Sequence, residues 1–114
     1  MRQLIVLPGA RMDVLAIRHW SETEFGPLVA GRYLALIAQA YADLCRKPDQ
    51  TGASLIPGLR EGYWLYPIRN SLAQLRREDR VRTARHVVAF RYDDEKVLIA
   101  RVLHDAMDIP SRLA

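Results

Sequence analysis

Apolar positions recur with a period of two from His86 to His104, in HVVAFRYDDEKVLIARVLH. Val88, Phe90 and Tyr92 alternate with Val87, Ala89 and Arg91. Beyond Asp93-Asp94-Glu95, Leu98, Ala100 and Val102 alternate with Val97, Ile99 and Leu103. That period sends successive side chains to opposite faces of a sheet, so the stretch predicts two strands and a turn. The three acidic residues read as the turn itself rather than as a carboxylate pair for acid–base work. The second arm is apolar on both faces, which marks a covered, central strand. Arg101 interrupts it, and a guanidinium in such a run needs a partner or an open cleft. Asp105 and Asp108, just downstream, are the expected partners.

Earlier in the chain the period lengthens. Gln3 to Leu7 is a strand-length apolar run stopped by Pro8-Gly9. Ala10 to Phe25 predicts a helix on a rough stripe of Val14, Ile17 and Phe25, with Leu15 and Trp20 nearby. Gly26-Pro27 ends it, because Gly suits the position after a helix and Pro opens the next one. From Leu28 to Arg46, Ala30, Tyr33, Leu34, Ile37, Tyr41 and Leu44 fall on one helical face. Lys47-Pro48 closes this second helix, since the residue before Pro is driven out of the helical region. Two amphipathic helices joined by a tight turn predict an antiparallel hairpin whose apolar stripe needs a sheet to cover it.

Asp49 to Pro57 reads as a loop, and Tyr63 to Ile68 as a strand. Pro67 lacks an amide hydrogen, so that strand should be an edge or kinked there. Ser71 and Gln74 have capping-box spacing, which predicts a short helix over Leu72 to Asp79, with an extended hairpin tip as the equal alternative. The segment from Asp105 onward reads as a frayed turn or tail. The order strand, helix, helix, strand, strand, strand is that of an α+β domain, with a helical hairpin on a small, mostly antiparallel sheet. The pairing of the first strand is not readable.

Composition narrows this picture. The 114 residues are half apolar and about a quarter charged, as expected for one globular domain over residues 1–114. No run of about 18 apolar residues suggests a membrane span, and the apolar run at the N-terminus is too short for a signal peptide. A lone Cys45 forms no internal disulfide and fits the cytoplasm as a buried thiol. The net charge is +4, and Lys47 and Lys96 are the only lysines among 17 basic residues. Arginine forks onto carboxylates and phosphates, so acidic proteins and nucleic acid are the partners to weigh. The densest cationic stretch holds Arg76, Arg77, Arg80, Arg82 and Arg85. His19, His86 and His104 lack ligand spacing, and no phosphate-binding glycine loop occurs, so neither metal nor cofactor is expected.

Four stretches carry a likeness in the right order: ARMDVLAIRHWSETEFG, GRYLALIAQAYADLCRKP, PGLREGYWLYPI and HVVAFRYDDEKVLIARVLHDAMDIP. They resemble, in turn, the first helix, the long second helix ending in Pro, the strand entered by a Gly-Leu-Arg turn, and the closing strands of the RelE/ParE toxins. Those toxins belong to type II toxin–antitoxin systems. The final R-V-L-H-x-x-x-D resembles the ParE branch. The likeness departs over 69–85, where relatives join the strands by a few residues, so the resemblance implies an insertion in this chain. It also departs at Asp105 and Met107, where the pattern has Gly and Arg.

The resemblance implies a toxin that poisons DNA gyrase by protein–protein contact, without chemistry of its own, and is neutralised by a ParD-like antitoxin. The other branch implies a ribosome-dependent endonuclease acting on mRNA. Arg60, Arg101 and His104 would then supply the phosphate cations and the proton-transfer group. The C-terminal segment has no Tyr for that task, and lysine is scarce. A diverged, non-toxic relative is the remaining possibility within the family. For antitoxin or target binding the candidates are Arg60, Arg76, Arg77, Arg80, Arg101, His104 and Asp108. Outside the family, an RNA-binding module would use Tyr63, Trp64, Tyr66, Phe90 and Tyr92 on an open sheet face.

Overall fold

The computed structural model describes residues 1–56 and 62–113. A strand, β1 (Gln3–Val6), leads into a long helical segment, α1 (Pro8–Arg46). There follow β2 (Ser54–Leu55), β3 (Trp64–Pro67), two 3-10 stretches (Ile68–Gln74 and Arg77–Asp79), β4 (His86–Tyr92), β5 (Lys96–His104) and a short helix, α2 (Ile109–Leu113). The sheet order is β1-β5-β4-β3-β2. β1 pairs with β5 in parallel, and every other neighbour is antiparallel.

α1 starts with Pro8 at its first turn, where a missing amide hydrogen costs nothing. It is broken at Gly26, whose φ of 86° and ψ of 168° are open only to glycine, and Pro27 starts the second arm. An unbroken helix of this length would run about 58 Å. The molecule's greatest extent is 39 Å, so the arms fold back on each other. The charge of Asp13 on the first arm reaches the Tyr41 hydroxyl on the second, as an antiparallel pairing requires. Lys47 is extended ahead of Pro48, and its amide closes the last turn on the Asp43 carbonyl at 3.0 Å.

Cross-strand partners share a face of the sheet. The core face carries Val88 and Phe90 of β4, opposite Val102 and Ile99 of β5, with Tyr66 of β3 beside them. Against it pack Ile17, Tyr33, Leu36, Ile37, Ala40 and Leu44 from the helical arms. The second arm's expected stripe meets this core at Tyr33, Ile37 and Leu44, but Leu36 and Ala40, outside that stripe, are fully buried, while Leu34 and Tyr41 are only partly so. The first arm contributes Ile17 and Val14, but Phe25 and Leu15 are exposed. Gly26 ends the arm before Phe25 can reach the sheet.

β5 lies between β1 and β4, with Val97, Ile99, Ala100, Val102 and Leu103 all buried. Its two faces are not divided by simple alternation. The register slips between Ala89 and Phe90, which pair with Arg101 and Ile99, so Ala100 is an extra residue. This bulge changes the parity of the strand and brings Val102 to the same core as Val97 and Ile99. Asp93 makes the turn: its carboxylate accepts from the amides of Glu95 and Lys96 at 2.8 and 2.9 Å.

Three other expectations are refined. The loop after α1 contains a two-residue strand, β2, which pairs only with Trp64 and Leu65. Pro67 stays unpaired on that side and so costs no ladder bond, as an edge position should. The short helix expected over 72–79 occurs as two 3-10 pieces, the first of which begins at Ile68. It is held by a buried carboxylate. Asp43 accepts from Ser71 Oγ at 2.6 Å and Gln39 Nε2 at 2.9 Å and is paired with Arg46, while Tyr66 bonds Ser71 at 2.9 Å. Cys45 is buried, and burial pushes its thiol above the usual range.

Candidate functional site

The open end of the β4–β5 hairpin brings two histidines together. His86 pairs with His104 in register, and their rings meet edge to face at 5.4 Å. A 2.6 Å hydrogen bond joins His86 Nδ1 to the Tyr33 hydroxyl on the second helical arm. Burial, reinforced by the neighbouring His104, lowers His86 from 6.5 to about 4, against the opposing pull of Asp105 and Asp13. His86 is therefore neutral near pH 7. Burial also raises Tyr33, so its hydroxyl keeps its proton there.

These groups form the base of a cleft of about 530 Å³. One wall is the bend of α1, with Trp20, Phe25 and Val29; the other is the 80–85 part of the connection between β3 and β4. Trp20 and Phe25 meet edge to face at 5.5 Å yet remain about half exposed. Arg32, Arg80, Arg82 and Arg85 also line the cleft, and no Asp or Glu does among the described residues. Arg85 Nη2 is held at 3.0 Å by Asp105 Oδ1, which sets Asp105 below the usual carboxylate range, and the Asp105 amide bonds the Arg85 carbonyl at 2.8 Å. Asp105 thus fastens the connection between β3 and β4 to the end of β5.

The sequence-derived candidates separate in space. Arg101 is committed to Asp13, through Nε to Oδ2 at 2.7 Å and Nη2 to Oδ1 at 2.9 Å. Asp13 also accepts the Val102 amide at 2.9 Å. The expected partners, Asp105 and Asp108, are replaced by a residue 88 positions upstream. Close approach of α1 makes this possible: a Cβ on Gly9 would meet Arg101 Cδ at 3.0 Å. Arg76 is tied to Asp79 at 2.9 Å, and Arg80 donates to the Leu75 carbonyl at 3.0 Å, both on the exposed connection between β3 and β4 with Arg77. Asp108 is exposed, and its carbonyl accepts from Ser111. Arg60 lies outside the described residues. Of the candidates among the described residues, only His104 and Arg80 reach the cleft.

Sequence reasoning missed Tyr33, His86, Trp20 and Phe25 as site residues. The signal for His86 was partial: it and His104 close the two arms of the hairpin, but His86 stands six residues before Tyr92 and His104 seven after Val97, and only the bulge at Ala100 brings them opposite each other. Trp20 and Phe25 carried none, because at helical spacing they read as core. Of the aromatics weighed for an RNA-binding face, Tyr66 and Phe90 are fully buried under the helices. Among the described residues no group of three or more His, Cys, Asp or Glu side chains could hold a metal ion. No helix among them is long and apolar enough to cross a membrane.

The fold is shared with a solved structure, the chromosomal ParDE TA system from P. aeruginosa. The TM-score is 0.65 over 91% of this chain and 96% of that one, at 18% identity. That likeness speaks for the fold. The sequence itself goes further, because the family model for the ParE toxin of the type II toxin–antitoxin system parDE matches residues 4–109. The chain therefore belongs to the ParE toxin family. No curated protein sequence matches it significantly.

Proposed function

We propose that this chain is a cytoplasmic growth inhibitor that poisons DNA gyrase by protein–protein contact and is neutralised by a cognate ParD-like antitoxin. The ParE family match carries the reading, and the state of Arg101 favours it over mRNA cleavage. A phosphate-binding cation must be free to turn toward its substrate. Arg101 is instead forked onto Asp13, an arrangement that serves the packing of α1 on β5. An acidic, disordered antitoxin tail suits a chain of net charge +4, since such a tail folds as it binds and covers a long surface. In this reading Arg76, Arg77 and Arg80, with His104 and Asp108, belong to the surface that meets antitoxin or target.

The test is induction in cells with plasmid topology and messenger RNA followed together. Cleaved DNA and a DNA-damage response, with transcripts intact, are expected. Growth should return on co-expression of the small open reading frame encoded alongside. Transcripts cut at the ribosome would replace this reading with the nuclease. Unimpaired growth would leave a non-toxic relative.

A further inference from the structure

We propose that the cleft between the bend of α1 and the connection from β3 to β4 is a docking pocket for an acidic peptide that inserts one bulky apolar side chain. This deepens the antitoxin reading and rests on it only for the source of the peptide. Three observations converge. The volume of about 530 Å³ falls in the range of built ligand sites. Its wall offers Trp20 and Phe25, large rings left half exposed, and such a patch gains from being covered. Its charge is of one sign. Arg32 and Arg82 have no carboxylate partner among the described residues, and no acidic side chain there lines the cleft, so its field draws in anions.

The occupant follows from this combination. An apolar anchor fills the space beside Trp20 and Phe25, while flanking carboxylates reach Arg32 and Arg82. Single-stranded RNA also joins arginines to aromatic rings, but its bases stack on open ring faces. Here the Trp20 and Phe25 planes stand 83° apart, so the edge of one ring takes a face of the other and the pair presents no shared flat platform for successive bases. Asp105 strengthens the case, because its bond to Arg85 fixes the second wall in place.

The purified full chain is titrated with a fluorescein-labelled peptide of Glu and Asp carrying one central Leu. Anisotropy reports binding, and quenching of Trp20 in a Trp64→Phe background reports its place. If that background does not fold, anisotropy with the cleft variants alone decides. Affinity should fall at least about tenfold in Arg32→Glu or Arg82→Glu, and likewise when the peptide Leu becomes Ser. Arg112→Glu, exposed and outside the cleft, should change it less than about threefold. No binding up to about 1 mM peptide, an equal loss in Arg112→Glu, or tighter binding of a single-stranded RNA through Arg32 and Arg82 would overturn the proposal. Failure here is separable from failure of the toxin reading. A chain that takes the peptide yet leaves gyrase untouched loses only the latter, and one that poisons gyrase yet ignores the peptide loses only the former.

Discussion

Two residues show how the interior treats polar atoms differently. The Tyr41 hydroxyl is buried with no hydrogen-bond partner among the described residues, and burial, with Asp13 nearby, pushes it up to about 12. An unsatisfied buried hydroxyl costs about 1–3 kcal/mol. Tyr41→Phe should therefore leave stability unchanged or raise it by about 1 kcal/mol, read as a urea midpoint that does not fall. Arg101 and Asp13 are the opposite case, each satisfied by the other. Asp13→Ala would strand the guanidinium and free the Val102 amide. Breaking a fully buried pair costs about 3–5 kcal/mol, and the 31% exposure of the Arg101 side chain should reduce this to about 2–3. A double-mutant cycle with Arg101→Leu should return positive coupling; additive losses would show that the two act independently.

At the level of elements, the bend in α1 and the bulge in β5 do comparable work. Gly26 turns one amphipathic segment into two arms that share a core, and it leaves Trp20 and Phe25 at the lip of the cleft. No atom lies within 4 Å of where a Cβ on Gly26 would stand, so a substitution meets only backbone strain. Gly26→Ala should cost about 1–3 kcal/mol by that strain alone. Gly31, in regular helix with similar open space, is the contrast: Gly31→Ala should stabilise by about 0.5–1 kcal/mol. Equal effects at both sites in thermal unfolding would mean that the bend is not held by the glycine. The bulge at Ala100 acts on parity: without the extra residue, Val102 would leave the core or Ile99 would.

The whole molecule is tuned by pH through the base of the cleft. His86 has its proton affinity lowered on folding, from 6.5 to about 4. Between these values the unfolded chain binds a proton that the folded chain does not, so stability rises with pH there. It is fully present above about pH 6.5 and lost as pH falls toward 4. His86→Gln should flatten the dependence of the urea midpoint on pH across that window. A slope unchanged from the parent would show that another group governs the loss. The Tyr33 bond places this titration at the contact between the helical hairpin and the sheet, so acid should loosen the layers before it unfolds either one.

Much of this architecture was legible along the chain. The alternating run from His86 to His104, the helical stripe from Ala30 to Leu44, and the breaks at Gly26-Pro27 and Lys47-Pro48 are local patterns. Each is set by backbone geometry and side-chain period acting over a few residues, and a sequence records such rules directly. What only the folded chain decided involves partners far apart. Arg101 takes Asp13 rather than Asp105 or Asp108, β1 takes β5, and Asp43 takes Ser71. The cleft likewise exists only because the connection between β3 and β4 returns to face the bend of α1. Local periodicity fixes which side of an element is apolar; it carries no record of which distant polar group will meet it, because that choice is made by the packing of the layers.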